Sequence, residues 1–409
     1  MNNNNKIAIT KINNDDVKSA VFEALNLINA GNLFINPSMK ILIKPNLLAP
    51  KKPEKAVTTH PAVLRAVIQW LKQFNPKRII VADSSGTYLK GITDLAFEVC
   101  GIRKVCEEEH IEFIPFERTK CKSYKVESPL ILKEFPASRL LEEFDMIINI
   151  PKIKTHINTK LTCSIKNMFG TVILGYKRKI HKLCKTEEKL NSALVDVYSV
   201  FHPELTIVDG YLCQEGMGPS MGDVVKMNLI IAGYDPVALD TVICQIIDFN
   251  PSEISYISKA EEKGLGTSDL KKFEFVGSSI RSVRKKFKKP KTSIKRIIIM
   301  NSRLVIEYVY KTLTRQSITF NKLKCDLCYT CSEICPVKAI ILPEVLEEGK
   351  SLPRWDKRVC IKCYTCAEFC PNKAIELKKN IIKNFLNSWL SIIFFFSILF
   401  LIYLIFLLF

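Results

Sequence analysis

Over the first 280 positions, apolar residues fall into short unbroken runs separated by amphipathic stretches, and the runs read as secondary-structure elements. Lys6–Ile12 predicts a strand, and Asp15–Ala30 an amphipathic helix closed by Gly31. Met39–Lys44 predicts a buried strand stopped at Pro45, and Pro61–Phe74 a helix with proline at its favoured first position. Further strands are predicted at Arg78–Asp83, Ile111–Phe116, Asp145–Ile150, Leu205–Asp209 and Val224–Ala232. Helices are predicted at Thr93–Cys100, near 160–169 and 186–201, over Pro236–Ile247 and near 252–263. Continuous apolar strands alternating with helices predict an α/β unit over residues 1–280, with a largely parallel sheet covered by helices on both faces.

Polar residues cluster where these strands end. Lys44 and Asn46 close one strand, Asp83-Ser84-Ser85-Gly86 another, and Asp209-Gly210 a third. Asn149 is followed by Lys152, Lys154 and His156, while His60, Lys166 and Asn167 are candidates for the same rim. Open parallel sheets bind ligands outside the carboxyl ends of their strands, so these clusters outline a pocket. Its lysines suit a small anionic ligand such as a phosphate or carboxylate. Lys44, Asn46, Asp83, Lys152, Lys154, Lys166, Asn167 and Asp209 are the expected substrate-binding groups. His60 and His156 are the expected proton donors, because an unperturbed imidazole titrates near working pH. No G-x-x-x-x-G-K-[ST] cradle occurs, and the glycines at 216, 218 and 222 do not form G-x-G-x-x-G; they suggest a loop over the pocket.

The end of the chain changes character. Trp389–Phe409 is 21 residues without a charge. As a helix it would reach ~31 Å, close to a bilayer's apolar thickness, so a single-pass transmembrane helix is expected over 385–409. Lysines 373, 378, 379 and 383 precede it, which would keep the folded domains on the cytoplasmic side. Net charge is +19, and ten Lys or Arg residues lie between Arg281 and Arg303 with no acid among them. Residues 281–319 therefore read as a basic linker, with anionic headgroups as its natural surface partner and nucleic acid the weakest of its readings. The chain opens without the apolar stretch of an export signal, and together with unpaired cysteines this points to a reducing compartment.

Eight of the 15 cysteines repeat one spacing. The first run is Cys325-x2-Cys328-x2-Cys331-x3-Cys335-Pro, the second Cys360-x2-Cys363-x2-Cys366-x3-Cys370-Pro, and both continue as x-Lys-Ala-Ile. Three thiolates close together wrap one side of an iron–sulfur cube, and the fourth, turned away by proline, reaches the other cluster. Two [4Fe–4S] clusters follow: one held by Cys325, Cys328, Cys331 and Cys370, the other by Cys360, Cys363, Cys366 and Cys335. Structural zinc sites favour two separated cysteine pairs over a triplet with a distant fourth.

The 320–380 segment resembles the bacterial-type two-cluster ferredoxins. The segments Lys44-Pro45-Asn46, Thr59-His60-Pro61, Asp83-Ser84-Ser85-Gly86, Pro151–His156, Ser164–Gly170, Asp209-Gly210 and Asp235–Asp240 together resemble the domain-of-unknown-function 362 (DUF362) family. The resemblance implies an iron–sulfur protein without a defined reaction. Two functions remain open. Electrons from the clusters could reduce an anionic substrate in the pocket, or they could be relayed to a redox partner protein that the α/β unit recognises.

Overall fold

The computed structural model describes residues 5–34, 36–86, 91–290, 316–333, 335, 337–342, 352–360, 365–368 and 370–379. They belong to two compact units, an α/β unit ending near Lys291 and a smaller C-terminal one.

The α/β unit is organised by β1 (Lys6–Lys11), α1 (Val17–Leu27), β2 (Lys40–Pro45), α2 (Pro61–Lys72), β3 (Arg78–Asp83), α3 (Ile92–Val99), α4 (Ile102–Glu108) and β4 (Glu112–Pro115). A hairpin of β5 (Cys121–Lys125) and β6 (Glu134–Ser138) interrupts the alternation. Next come β7 (Met146–Ile150), β8 (Lys152–His156), β9 (Lys160–Thr162), α5 (Ser164–Asn167), α6 (Leu174–Leu183) and α7 (Glu187–Tyr198). The unit closes with β10 (Leu205–Glu215), β11 (Asp223–Gly233), α8 (Pro236–Ile246), α9 (Ser255–Glu262) and β12 (Glu274–Gly277).

The main sheet runs β12-β1-β11-β10-β7-β2-β3-β4, with β8 and β9 attached beyond β10. Strands β10, β7, β2, β3 and β4 are mutually parallel. β11 runs against its neighbours β10 and β1, and β9 against β8, so the largely parallel sheet carries two reversed strands among the described residues. Alternate residues of each central strand enter opposite apolar layers. Leu42, Ile80 and Ile147 pack on one face, and Ile41, Ile43, Val81 and Ile148 on the other. Helices α1 to α4 cover the second face, while α7, α8 and α9 cover the first. This two-sided burial explains why the strands read as unbroken apolar runs.

Three expectations are corrected. The predicted helix near 160–169 is instead β9 followed by the short α5. β8 and α6 lie where no element was predicted. The third is the membrane anchor. Residues 385–409 lie outside the described residues, as does most of the basic segment 281–319. Among the described residues no helix is long and apolar enough to cross a membrane. The longest α-helices among the described residues have 12 residues, ~18 Å of rise against the ~30 Å a bilayer requires. The fold class is thus α/β with small antiparallel sheets in the C-terminal unit. A bilayer partner through the C-terminus and a single-pass membrane location are not supported.

The C-terminal unit pairs its own ends. β13 (Gln316–Phe320) runs antiparallel to β16 (Ile375–Lys379), and β14 (Ile340–Ile341) to β15 (Arg354–Trp355). Ile318, Ile340 and Ile375 form its apolar centre together with Cys331 and Cys366.

Candidate functional site

Parallel register brings the carboxyl ends of β2, β3 and β7 level: Lys44 sits opposite Asn149, and Ile43 opposite Val81. Beyond these ends lies a cavity of about 100 Å³, lined among others by Asn46, Asp83, Lys154, His156, Lys166 and Asn167. Six of the ten residues expected from the sequence therefore meet there. Lys44 stands just behind, wholly buried, its Nζ 2.9 Å from Asp83 Oδ1. A side chain at Gly170 would collide with both members of that pair, so the position needs a glycine's missing Cβ.

The polar wall is tightly bonded. Asn46 Nδ2 donates to Asn167 Oδ1 (2.8 Å), and Asn167 Nδ2 to Asn149 Oδ1 (2.7 Å). Asp83 accepts from the amides of Leu47 (3.0 Å) and Ser84 (2.8 Å) as well as from Lys44. Such a network fixes the wall's shape, since each bond lost would leave a buried polar group unpaired.

Strand β8 has an unusual arrangement. Lys152, Lys154 and His156 share one of its faces by the two-residue period, and every residue of the strand is buried. Lys152 Nζ meets Asp209 Oδ2 at 2.8 Å, both groups fully buried. Asp209 also accepts from the amides of His60 (2.6 Å) and Tyr211 (3.0 Å). This pair therefore braces β8 against β10 and does not line the cavity. Lys154 has no carboxylate partner among the described residues: its Nζ donates to Asn46 Oδ1 (2.7 Å) and Val57 O (2.6 Å). His156 accepts at Nδ1 from the amides of Asn158 (3.0 Å) and Thr159 (3.3 Å), which leaves the ring proton on Nε2. His60 caps α2, its Nδ1 accepting from Ala62 N (3.2 Å), and packs edge-on against Tyr211. It is not among the residues lining the cavity.

Two titratable lining residues escaped the sequence reading. Lys177 and His181 lie four apart on α6, so one helical face presents both to the cavity. Lys177 Nζ donates to Ser84 O (2.7 Å) and Ser85 O (3.2 Å). The i, i+4 spacing was visible, but six cations and imidazoles around α6 hid it among ordinary surface charge. Pro219, from the glycine loop after β10, also lines the cavity, and Thr155 Oγ1 donates to Gly216 O (3.0 Å) to hold that loop.

Burial dominates the electrostatics. It lowers Lys166 to about 8, and Lys177 to about 7 despite the opposing charge of Asp83. Lys154 falls well below the usual lysine range through burial and the neighbouring Lys166 and Lys152. His181 drops to about 4, and His156 also drops far, through burial and then Lys166. Cations that outnumber the neighbouring acids, Asp83 and Glu117, favour an anion, whose arrival would return charge to the amines. The protonated lysines hold the anion, so stabilisation by sulfate should be greatest below pH 7 and fade as pH rises through 8. Thermal melts with and without sulfate across pH 6–9 check this; a constant increment would refute it.

The C-terminal unit holds its cysteines in a reciprocal arrangement. Asn321 N donates to Ala374 O (2.8 Å), and Asp356 N to Ala339 O (2.9 Å). Each stretch leading into one cysteine run is thus bonded to the stretch leaving the other. Ala339 N points at Cys335 Sγ and Ala374 N at Cys370 Sγ, both at 3.1 Å. Lys338 and Lys373 both take left-handed backbone conformations, φ 50° and 48°, at matching places in the two repeats. Burial pushes the Cys331 thiol up to about 11, helped by the charges of Cys325, Cys370 and Cys328. Cys370 of the second run accordingly lies within electrostatic reach of the first run's triplet. Cys363 lies outside the described residues. Iron–sulfur clusters are held by cysteine thiolates and tuned by amide donors on sulfur and by burial, all of which these residues supply, so they fit such a group. Among the described residues, no three His, Cys, Asp or Glu side chains come together as a single-ion site.

Comparison with known proteins agrees with both units. Residues 41–245 match a domain of unknown function, DUF362, and residues 315–375 a 4Fe-4S dicluster domain. A thylakoid-associated protein of Synechocystis sp. is 29% identical over 233 residues, covering 57% of this chain and 70% of that protein. Two solved structures are also similar. A crystal structure of a Thermotoga maritima protein has TM-score 0.36 at 14% identity, covering 61% of this chain and 58% of its own. The lactate racemase apoprotein of Thermoanaerobacterium thermosaccharolyticum has TM-score 0.39 at 11% identity, covering 61% and 57%. The chain spans less than two thirds of either structure's length.

Proposed function

Because this chain belongs to the DUF362 family and continues into a 4Fe-4S dicluster domain, we propose that it is a reductase-like iron–sulfur protein delivering electrons to a small anionic substrate at the strand ends of its α/β unit. Two [4Fe–4S] clusters would be held as the crossed cysteine sets describe, and when bound they supply single electrons. The observation that carries the reading is the cavity itself, where Lys154, Lys166 and Lys177 converge with one carboxylate, Asp83, already paired to Lys44. Lys154 and Lys177 are held by oxygen acceptors and so are preorganised to receive negative charge. His156, with its proton on Nε2, is placed to donate a hydrogen bond or a proton to the substrate.

The test is reoxidation. The full-length protein, purified anaerobically and reduced, is mixed with a fractionated small-molecule extract while cluster absorbance and metabolite loss are followed. An anionic fraction should reoxidise it with loss of one metabolite. Lys177→Met should lower that rate by roughly 100-fold, as expected when one preorganised charged contact is removed, while dithionite still reduces the clusters. Reoxidation by protein fractions alone would replace this reading with electron relay to a redox partner.

A further inference from the structure

The cavity lysines are not equivalent. Lys44 is paired with Asp83, Lys154 is held by Asn46 and Val57, and Lys177 by the carbonyls of Ser84 and Ser85. Lys166 has no hydrogen-bond acceptor and no carboxylate among the described residues; its Nζ stands 5.7 Å from the centre of the Phe169 ring. An amine whose protons are taken by carbonyl and amide oxygens is oriented by them, whereas the Lys166 amine, against an aromatic face, is free to turn its lone pair toward a carbonyl once deprotonated.

We propose that Lys166 is a nucleophile, condensing through Nζ with the carbonyl of a small oxo-carboxylate to form an imine inside this cavity. The inference rests on the anionic-substrate reading above and names the substrate class. Lys154 and Lys177 receive the carboxylate, which brings the adjacent carbonyl carbon toward Lys166. Burial supports the role: with Lys166 lowered to about 8, about a tenth of it is free amine at pH 7, against well under a thousandth for an ordinary lysine. Desolvation beside other cations is a recognised way to activate a lysine for carbonyl chemistry.

The atoms balance without a redox step. The Nζ lone pair forms the carbon–nitrogen bond while the carbonyl π pair moves to oxygen. The Nε2–H of neutral His156 hydrogen-bonds that oxygen while a proton passes to it from the nitrogen, giving the carbinolamine. The carbon–oxygen bond of the carbinolamine then breaks as the carbon–nitrogen double bond forms, and oxygen leaves as water. Both protons of that water originate on the Lys166 amine. One amine and one carbonyl give one imine and one water.

Pyruvate serves as the probe, with borohydride to reduce any imine to a stable secondary amine and peptide mass mapping to locate it. In the full-length protein, label should appear on Lys166, saturate with pyruvate, decline when phosphate competes, and be far weaker with acetone, which lacks the carboxylate. Lys166→Arg keeps the charge and should lose the label. The wild-type peptide map needs no variant, so a misfolded Lys166→Arg leaves the test intact. Pyruvate that raises the melting temperature without labelling Lys166 overturns the nucleophile and leaves the anion site standing. Absence of both labelling and stabilisation, by pyruvate and by phosphate, overturns the anion site and the proposal together.

Discussion

Asp209→Ala should cost the α/β unit about 3–5 kcal/mol, the range for stranding one member of a buried ion pair. The variant leaves the Lys152 ammonium, fully buried in the wild-type protein, without its 2.8 Å partner, and it also removes the acceptor of the His60 and Tyr211 amides. Since domains are stable by only about 5–15 kcal/mol, the loss is a large fraction of the total. Urea titration should show the midpoint falling sharply with little change in slope. Replacing both partners, as Lys152→Met with Asp209→Leu, should recover much of the loss, because no isolated charge then stays buried. A shift below about 1 kcal/mol for Asp209→Ala would mean that Lys152 finds another partner.

The second large effect concerns the clusters. If ligation crosses between the runs, Cys370→Ala removes the fourth ligand of the cluster held by Cys325, Cys328 and Cys331, although Cys370 belongs to the other run. Iron and acid-labile sulfide should fall by about half when one of two equal clusters is lost. Electron paramagnetic resonance of the reduced protein should then show a single uncoupled cluster. Cys335→Ala should remove the opposite cluster. Doubly substituted Cys325→Ala/Cys370→Ala should match Cys370→Ala under the crossed arrangement, and should lose both clusters if each run ligates its own.

Much of this was legible because burial on two faces writes itself as unbroken apolar runs, as in Ile41–Ile43 and Ile79–Val81. The strand ends were legible for a related reason: polar residues abruptly following such a run have few places to go except the sheet's edge. β8 was missed because both of its faces are buried and one of them is polar. Lys-Ile-Lys-Thr-His has a strand's period, but Lys152, Lys154 and His156 occupy the positions where apolar residues normally mark the interior. The grouping of Lys152 with the cavity followed from its neighbours in sequence, and only the register of β8 against β10 shows it paired with Asp209 instead. His60 reads as a catalytic candidate by type, yet its geometry is that of a helix cap. The α6 pair was obscured by composition, since a helix so rich in cations lacks the apolar stripe that would announce it.

The placement of β1 has a consequence for how the chain is made. The first strand lies inside the sheet, antiparallel to β11 and parallel to β12, whose partner residues begin at Leu229 and Glu274. At about 5–20 residues per second, a ribosome needs on the order of 10–50 s to deliver them after β1 has emerged. During that interval Ile7, Ala8 and Ile9 have no partner strand from their own sheet. The nascent chain thus carries an unpaired apolar strand through most of its synthesis, and the α/β unit seals only as the first cysteine run is about to be translated.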